Sequence, residues 1–280
     1  MILTGKARVA GVMGWPVGHS RSPRLHGFWL ERYAIDGGYV PMAVAPEKLA
    51  QALRALPALG FAGCNLTLPH KEAALGLVDR VDNAARRIGA VNTVVVDGSG
   101  QLSGSNTDGF GFHESLIAGA PGWQSERPVL VLGAGGAARA VVAALLDAGV
   151  PLVRVANRSS ARAQALAEAF GEAVEPVAWD QRAAACDGVG LVVNTTTLGM
   201  TGQAPLEIDL AALASDAVVS DIVYTPLITP LLAAARARGN RMVDGLGMLL
   251  HQARPGFAAW FGRDPVVDDA LRRHVAADLL

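Results

Sequence analysis

Short apolar runs alternate with alanine-rich, amphipathic segments along the whole chain, and this alternation predicts strands and helices in turn. In the second half the predicted strands cover residues 129–132, 152–156, 190–193 and 217–222. In the first half they cover 7–14, 38–44, 61–66, 89–96 and 102–105, with helices over 24–33, 46–56 and 79–88. Strands that alternate with helices form sheets covered by helices, so the pattern predicts an α/β fold.

The run over 129–132 passes directly into a turn that contains Gly133, Gly135 and Gly136, and a helix-forming segment follows. Glycines allow the backbone to approach a pyrophosphate closely, and the helix N-terminus presents free N–H groups to it. Ala138 stands where a third glycine is usual. This context predicts a dinucleotide site, and a tight turn with a purely structural purpose is the alternative.

The segment after the next predicted strand bears on the choice of cofactor. An NAD site places an acidic residue there to accept the ribose hydroxyls, whereas this chain has Asn157, followed by Arg158 and Arg162. Arginines attract a 2′-phosphate and bind its oxygens in bidentate fashion, so NADP is expected rather than NAD. The alternative is a helix start capped by Ser159 or Ser160, with two solvated arginines.

Polar side chains follow three strands of the first half: Ser20 and Ser22, then Thr67 and Lys71, then Asn106 and Asp108. We expect them to share one edge of a single sheet, where open α/β sheets bind ligands. Helix capping is the simpler explanation for several of them, Ser22 before Pro23 above all. Lys71 is one of only three lysines against 21 arginines, which suggests a need for a compact amine, although a solvated lysine is the alternative. Asn92 interrupts an apolar strand and must therefore find hydrogen-bond partners or a ligand.

Composition narrows the class of protein. At 280 residues the chain is long enough for two domains, and a net charge of −1 gives no reason to expect nucleic acid or a membrane as a partner. Cys64 and Cys186 have neither zinc-ligand nor disulfide spacing, so no metal is expected. The N-terminus does not match a signal peptide and no apolar run is long enough to span a bilayer, so a cytoplasmic protein is expected. The six histidines are interpreted as surface or junction residues, with His70 as a possible neighbour of the site.

Together these motifs resemble the shikimate dehydrogenase family over nearly the whole chain. The matching motifs are GxSxSP at 18–23, NxTxPxK at 65–71, AVNT at 90–93, NTDG at 106–109, GAGGA at 133–137, NR at 157–158 and DGLGML at 244–249. The resemblance implies reversible, NADPH-dependent reduction of 3-dehydroshikimate to shikimate, on the route to chorismate and aromatic amino acids.

The resemblance also implies roles for individual residues. Lys71 and Asp108 would be the catalytic pair. The substrate would be held by Ser20, Ser22, Thr67, Lys71, Asn92, Asp108, Tyr224 and Gln252. The cofactor would be held by Gly133, Ala134, Gly135, Gly136, Ala137, Asn157, Arg158, Ser159, Arg162, Thr195, Ile222 and Gly245. Ser159 replaces the usual threonine of the family, and Thr195 and Thr197 depart mildly from its NATSLGM segment.

Two domains are expected, with the active cleft between them. Residues 1–111, completed by C-terminal helices over 246–280, would form an α/β substrate-binding domain. Residues 112–245 would form a Rossmann-type, doubly wound parallel sheet that binds NADP. The expected partner is the small-molecule substrate, and the expected assembly is a monomer or a homodimer.

Three other functions are compatible with parts of the pattern. A quinate/shikimate or aminoshikimate dehydrogenase is the nearest, because a pocket rejects one added hydroxyl only weakly. A sensor that binds NADP or shikimate without chemistry would be expected to have lost Lys71 or Asp108, and both are present. An enzyme of the methylene-tetrahydrofolate dehydrogenase type would not explain the paired serines or the NTDG segment.

Overall fold

The computed structural model describes residues 3–279, and these form two compact units. The first unit runs up to Thr107 and resumes over Gln252–Ala277. The second unit comprises Asp108–His251 together with the end of the chain. Within the described residues, no helix combines the length and the apolar character needed to cross a bilayer.

The first unit is built on a mixed sheet. Its strands are β1 (Arg8–Gly14), β2 (Gly37–Ala43), β3 (Phe61–Leu66), β4 (Arg80–Val81), β5 (Thr93–Val96) and β6 (Leu102–Ser105). Their order across the sheet is β2-β1-β3-β5-β6-β4. The strands β1, β2 and β3 run parallel, whereas β5 is antiparallel to both of its neighbours.

The helices of this unit are α1 (Ser22–Arg32), α2 (Leu49–Ala55) and α3 (Asn83–Ile88), with 3-10 turns at Pro46–Lys48 and Ala73–Gly76. Later in the chain come α8 (Gly245–Phe261), whose second part belongs here, and α9 (Asp269–Ala276). Apolar side chains of α2 and the sheet, such as Leu53, Leu66 and Leu102, are fully buried together. Their removal from water is the main force that holds the layers in contact.

The second unit is a parallel sheet covered on both faces. Its strands are β7 (Val129–Leu132), β8 (Val153–Asn157), β9 (Val174–Ala178), β10 (Leu191–Asn194), β11 (Val218–Asp221) and β12 (Arg241–Val243), in the order β12-β11-β10-β7-β8-β9. The helices are α4 (Asp108–Gly119), α5 (Gly136–Asp147), α6 (Ser160–Phe170) and α7 (Pro230–Ala237), with 3-10 turns at Trp179–Gln181 and Ala184–Cys186. This strand order is that of doubly wound dinucleotide-binding sheets, as the sequence predicted.

Alternation along β7 explains why its whole sequence is apolar. Val129 and Val131 pack on one face with helix residues such as Val141, whereas Leu130 and Leu132 pack on the opposite face. All four strand residues are completely buried. A strand covered on both faces has no solvent side on which polar residues could stand.

Three predicted elements differ from the structure. The helix predicted over 79–88 begins only at Asn83, because the Asp82 carboxylate accepts a hydrogen bond from the Ala85 amide and caps it there. The segment before it pairs with β6 instead. The strand predicted over 89–96 begins at Thr93, so Asn92 lies before the strand rather than within it. The predicted domain boundary at residue 111 falls inside α4.

We expect Gly63→Ala to destabilise the first unit severely. Gly63 has a φ of +149°, and a Cβ there would lie 2.0 Å from the Val94 carbonyl oxygen and 2.3 Å from Nε1 of Trp260. That indole donates a hydrogen bond of 3.0 Å to the same carbonyl, so neither atom can move without loss. We expect a loss of about 3 kcal/mol or more in the free energy of unfolding, measured by urea denaturation.

Gly60→Ala is the matched control. Gly60 also has a positive φ, +72°, but a Cβ there would meet nothing within 4 Å. Gly60→Ala should therefore lower the free energy of unfolding by only about 1 kcal/mol, the cost of placing alanine in a left-handed backbone conformation. Equal losses in the two variants would contradict the close packing at Gly63.

Candidate active site

One edge of the mixed sheet collects the polar strand ends of the first unit. Strands β1 and β3 are parallel, so both end there. The pairings of Asn65 with Thr93 and of Thr93 with Ser105 bring the start of β5 and the end of β6 to the same edge. The ends of β1, β3 and β6 therefore lie at one edge of a single sheet, and the grouping of the polar side chains that follow them stays a prediction.

The loops that leave β1 and β3 pack directly on one another. The Trp15 amide donates a hydrogen bond of 3.1 Å to the Leu68 carbonyl. A Cβ on Gly14 would lie 2.4 Å from Cγ2 of Thr67, so only glycine permits this approach. The close contact places Thr67 beside the end of β1.

The loop after β3 also holds the backbone of Lys71. His70 lies in its turn, only 1% exposed, and its Nε2 is 2.8 Å from the Val44 carbonyl oxygen. The Lys71 carbonyl accepts a hydrogen bond of 2.8 Å from the Val91 amide, one residue before Asn92. His70 is thus not on the surface but lies buried in the loop that carries Lys71, where its ring can fix the loop's position, and its place as a neighbour of the site stays a prediction.

The two predicted substrate serines lie at the start of α1. The Ser22 amide donates a hydrogen bond of 3.4 Å to the Ser20 hydroxyl oxygen. Arg21 occupies the N-cap position and no side chain caps the helix, so the prediction of Ser22 as the N-cap is wrong. Ser22 is buried and Ser20 is partly exposed.

Asn92 is the centre of a buried hydrogen-bond network. Its Oδ1 accepts hydrogen bonds of 2.9 Å from both the Thr107 amide and the Thr93 hydroxyl. Its Nδ2 lies 3.1 Å from the Thr107 hydroxyl and 3.4 Å from Oε1 of Gln252. Because Asn92 is only 2% exposed, these partners offset the cost of removing its amide from water.

Gln252 is held by the same network. The Thr107 hydroxyl donates a hydrogen bond of 2.8 Å to the Gln252 carbonyl. The structure thus brings together two predicted substrate residues, Asn92 and Gln252, that are 160 positions apart in the chain. Thr107 was not predicted as a site residue, and the signal that could have found it is its place within the NTDG segment.

The glycine-rich turn of the second unit has the geometry of a phosphate cradle. Gly133 has a φ of +111°, and a Cβ there would lie 2.6 Å from the Thr195 hydroxyl, so the turn requires glycine. Beyond it, a Cβ on Gly135 or Gly136 would meet nothing within 4 Å. The backbone at the start of α5 is therefore uncovered at these positions, as close approach of a phosphate requires, and Ala134 and Ala137 belong to the same segment.

The end of β8 presents basic groups and no carboxylate. The Asn157 amide donates a hydrogen bond of 2.9 Å to the Ser159 carbonyl, which shapes the turn into α6. Arg158 and Arg162 are exposed, and within residues 3–279 neither guanidinium has a hydrogen-bond or ion-pair partner. Ser159 occupies the N-cap position, but its side chain makes no capping hydrogen bond. These groups fit the 2′-phosphate of NADP.

A buried carboxylate joins the ends of β10 and β11. Asp221 is 1% exposed and accepts hydrogen bonds from the Asn194 amide (2.9 Å), the Val223 backbone N–H (3.0 Å) and the Thr229 hydroxyl (2.7 Å). Burial raises the pKa of Asp221 to about 6, although these hydrogen bonds work in the opposite direction. The network fixes the turn that contains Thr195, because Oδ1 of Asn194 also accepts a hydrogen bond of 3.0 Å from the Thr196 amide.

Two further predicted cofactor residues, Ile222 and Gly245, are in contact with one another. A Cβ on Gly245 would lie 2.2 Å from the Ile222 carbonyl oxygen, so α8 begins in direct contact with the end of β11. Tyr224 follows in the same segment and is partly buried.

Lys71 belongs to the first unit, whereas Asp108 begins the second and is 9% exposed. The proposed pairing of these two residues stays a prediction.

Both cysteines and His26 are buried. Burial raises the pKa of Cys186 to about 11 and raises that of Cys64 still further. His26 is completely buried, so its interpretation as a surface or junction residue is also wrong. Among the described residues, no group of three or more His, Cys, Asp or Glu side chains is placed to hold a metal ion.

The parallel sheet and its glycine-rich turn are those of a dinucleotide-binding unit, and the mixed sheet presents a polar edge. Comparison with family models is more specific. Residues 12–94 match the shikimate dehydrogenase substrate binding domain, and residues 120–198 match the shikimate / quinate 5-dehydrogenase model. The chain belongs to the shikimate dehydrogenase family.

Individual relatives agree with this assignment. A shikimate dehydrogenase (NADP(+)) from Paramagnetospirillum magneticum is 63% identical over 274 residues, which cover 98% of this chain and 99% of the relative. The structure of shikimate 5-dehydrogenase from Thermus thermophilus in complex with NADP(H) and shikimate has a TM-score of 0.86 at 40% identity, with coverage of 98% and 100%. A quinate dehydrogenase from Corynebacterium glutamicum in complex with NAD has a TM-score of 0.89 at 34% identity, with coverage of 98% and 99%.

We expect Asp221 to make stability depend on pH. Its pKa is about 6 in the folded protein against an ordinary 3.8, so between these values the folded state binds more protons than the unfolded state. The stability that Asp221 contributes is therefore present below pH 4 and is lost as the pH rises through 6. Two pKa units correspond to about 3 kcal/mol.

The measurement is urea denaturation of the wild type and of Asp221→Asn between pH 4 and pH 7. The variant should gain stability relative to the wild type as the pH rises. Asp209→Asn is the control, because Asp209 is exposed in the same unit and accepts a hydrogen bond from the Ala211 amide. A difference between Asp221→Asn and the wild type that is constant with pH would contradict the prediction.

Proposed function

We propose that this protein is a shikimate dehydrogenase, which reduces 3-dehydroshikimate to shikimate with NADPH and catalyses the reverse reaction with NADP. The reaction lies on the route to chorismate and the aromatic amino acids. The observation that carries the proposal is the polar sheet edge, where Asn92, Thr107 and Gln252 form one network and the neighbouring Val91 amide donates to the Lys71 carbonyl. The relatives and structures named above support the same activity over the full length of the chain.

The substrate carries a carboxylate and ring hydroxyls, and the sheet edge offers a complement to each. Ser20 and Ser22 donate hydroxyl hydrogen bonds to the carboxylate beside the start of α1, where the helix dipole favours negative charge. Thr67, Asn92 and Gln252 hold the ring hydroxyls, and Tyr224 is a further substrate residue of this proposal. The buried partners of Asn92 fix its amide orientation before the substrate binds, which reduces the entropy lost on binding.

Lys71 and Asp108 are the catalytic residues of this proposal. When bound, the nicotinamide supplies the hydride that converts the ketone carbon into a secondary alcohol carbon. Lys71, as an ammonium ion, stabilises the negative charge that develops on the carbonyl oxygen and donates the proton that completes the hydroxyl. Asp108 orients the Lys71 ammonium and accepts a hydrogen bond from a substrate hydroxyl. In the reverse direction the Lys71 amine accepts the proton.

A broader specificity that includes quinate is the second candidate. The family model that matches residues 120–198 is described for both shikimate and quinate, and one structural relative is a quinate dehydrogenase in complex with NAD. The basic turn at Arg158 and Arg162 favours NADP for this chain, which supports the biosynthetic enzyme. An aminoshikimate dehydrogenase remains within the same family chemistry. The cytoplasmic location and the monomeric or homodimeric state remain predictions.

We expect rapid reduction of NADP with shikimate by the wild type and a loss of at least about a thousandfold in kcat for Lys71→Ala, because both charge stabilisation and proton transfer are removed. Initial rates with shikimate and quinate, each with NADP and NAD, measure this directly. Lys48→Ala is the matched control, since Lys48 is an exposed lysine of the same unit, at the end of a 3-10 turn. Faster turnover of quinate than of shikimate would assign the protein to the second candidate, and turnover with neither would exclude both.

We expect Arg158→Ala and Arg162→Ala each to raise the KM for NADP roughly tenfold to a hundredfold, since a hydrogen bond from a charged donor contributes about 1.5–3 kcal/mol. The KM for NAD should stay nearly constant, because NAD lacks the 2′-phosphate. Arg236→Ala, an exposed arginine on α7, is the control. Equal effects on both cofactors would show that these arginines do not recognise the 2′-phosphate.

A further inference from the structure

A row of buried polar side chains, Tyr39, Asn65 and Thr93, leads by hydrogen bonds to the predicted substrate residue Asn92. The Tyr39 hydroxyl, on β2, donates a hydrogen bond of 2.6 Å to Oδ1 of Asn65, on β3. Nδ2 of Asn65 donates in turn to the Asn92 carbonyl and to the Thr93 hydroxyl oxygen, at 3.1 Å each. Tyr39 and Asn65 are 8% and 6% exposed, so neither relies on bulk water for its hydrogen bonds.

The row is directional, and it ends on the Asn92 side chain. The Thr93 hydroxyl has one proton, which it donates to Oδ1 of Asn92 at 2.9 Å. Its oxygen also accepts a hydrogen bond from Nδ2 of Asn65, which restricts the direction in which the hydroxyl proton points. With Oδ1 of Asn92 engaged in this way, Nδ2 of Asn92 points toward Thr107 and Gln252. The Thr107 backbone amide and the Thr93 hydroxyl thus both direct the Asn92 amide, and the second of these donors is linked through Asn65 to Tyr39.

The other end of the row reaches α1, which carries Ser22. The Tyr39 ring stacks on His26 with ring centroids 3.9 Å apart and an angle of 7° between the planes. His26 lies four residues after Ser22, on the same face of the helix. Burial lowers the pKa of His26 to about 3, so the stack joins two neutral rings at physiological pH. Burial raises the pKa of the Tyr39 phenol, so its hydroxyl keeps the proton that it donates to Asn65.

We propose that Tyr39 and Asn65 are positioning residues, which hold the Asn92 amide and the start of α1, the helix that carries Ser22, in the arrangement that the substrate requires. This inference rests on the proposed function. Folding alone does not require the polar pair, since apolar residues of similar volume are often as stable in a buried position. A pair of directed hydrogen bonds supplies what an apolar pair cannot, namely a defined orientation for each group it contacts.

The test is the steady-state kinetics of Tyr39→Phe, which removes one hydroxyl and keeps the aromatic ring. We expect the KM for shikimate to rise roughly tenfold, while the KM for NADP stays within about twofold of the wild type. Tyr33→Phe is the matched control. The Tyr33 hydroxyl accepts a hydrogen bond of 3.0 Å from the Val266 amide in the same unit, and it is not part of the row. Its loss should leave both KM values unchanged.

Thr93→Val supplies a second measurement along the same row. The double variant combines Tyr39→Phe with Thr93→Val. If Tyr39 acts through Asn65 and Thr93, its KM for shikimate should be close to that of the more affected single variant. Independent effects would multiply instead, and multiplied effects would contradict the relay. Melting temperatures of all variants show whether a change in KM accompanies a loss of folding.

The outcomes separate this inference from the proposed function. A wild type that does not oxidise shikimate with NADP overturns the proposed function and, with it, the role of Tyr39. A wild type that does so, with an unchanged KM for shikimate in Tyr39→Phe, overturns the positioning role alone. Equal rises in both KM values, together with a lower melting temperature, would assign Tyr39 a structural role only.

Discussion

A buried amide must have its hydrogen bonds satisfied, and the first unit is arranged around that requirement at Asn92. The side chain is nearly inaccessible to water, and its donors and acceptors are met by groups from β5, the segment after β6 and the residue at which α8 enters the unit. Each of these groups comes from a different part of the chain. The network therefore gives the sheet edge one arrangement, whereas apolar contacts alone would tolerate several.

The second unit satisfies the same requirement with a carboxylate. Asp221 accepts hydrogen bonds from the end of β10, from the residues after its own strand and from the start of α7. These segments lie on one side of the point where the strand order reverses, between β7 and β10, and such points bind ligands in open α/β sheets. The Asp221 network therefore fixes the segments on one side of this point. On the other side lies the glycine-rich turn, where the lack of side chains leaves the backbone uncovered.

Most of the architecture could be predicted from the sequence, because burial on both faces leaves an unmistakable apolar run, as at Val129–Leu132. The polar edge could also be predicted, since helix caps alone would not need a lysine and an aspartate after strands that end on the same side of a sheet. The position at which a helix begins and the burial of a single polar side chain were harder to predict. Asp82 caps a shorter helix than the charge pattern suggested, and His26 is buried because its ring packs as an aromatic group rather than as a base. Tyr39 gave no signal, because a tyrosine within an apolar strand has the pattern of an ordinary core residue.

The burial of both cysteines has a practical consequence. Each thiol is buried and holds its proton more firmly than a free cysteine, so little thiolate is present at neutral pH to react with alkylating or oxidising reagents. A single cysteine introduced on the surface would then be the only reactive one in the native protein. The natural sequence is thus ready for site-specific attachment of fluorophores or spin labels, with no need to remove its own thiols first.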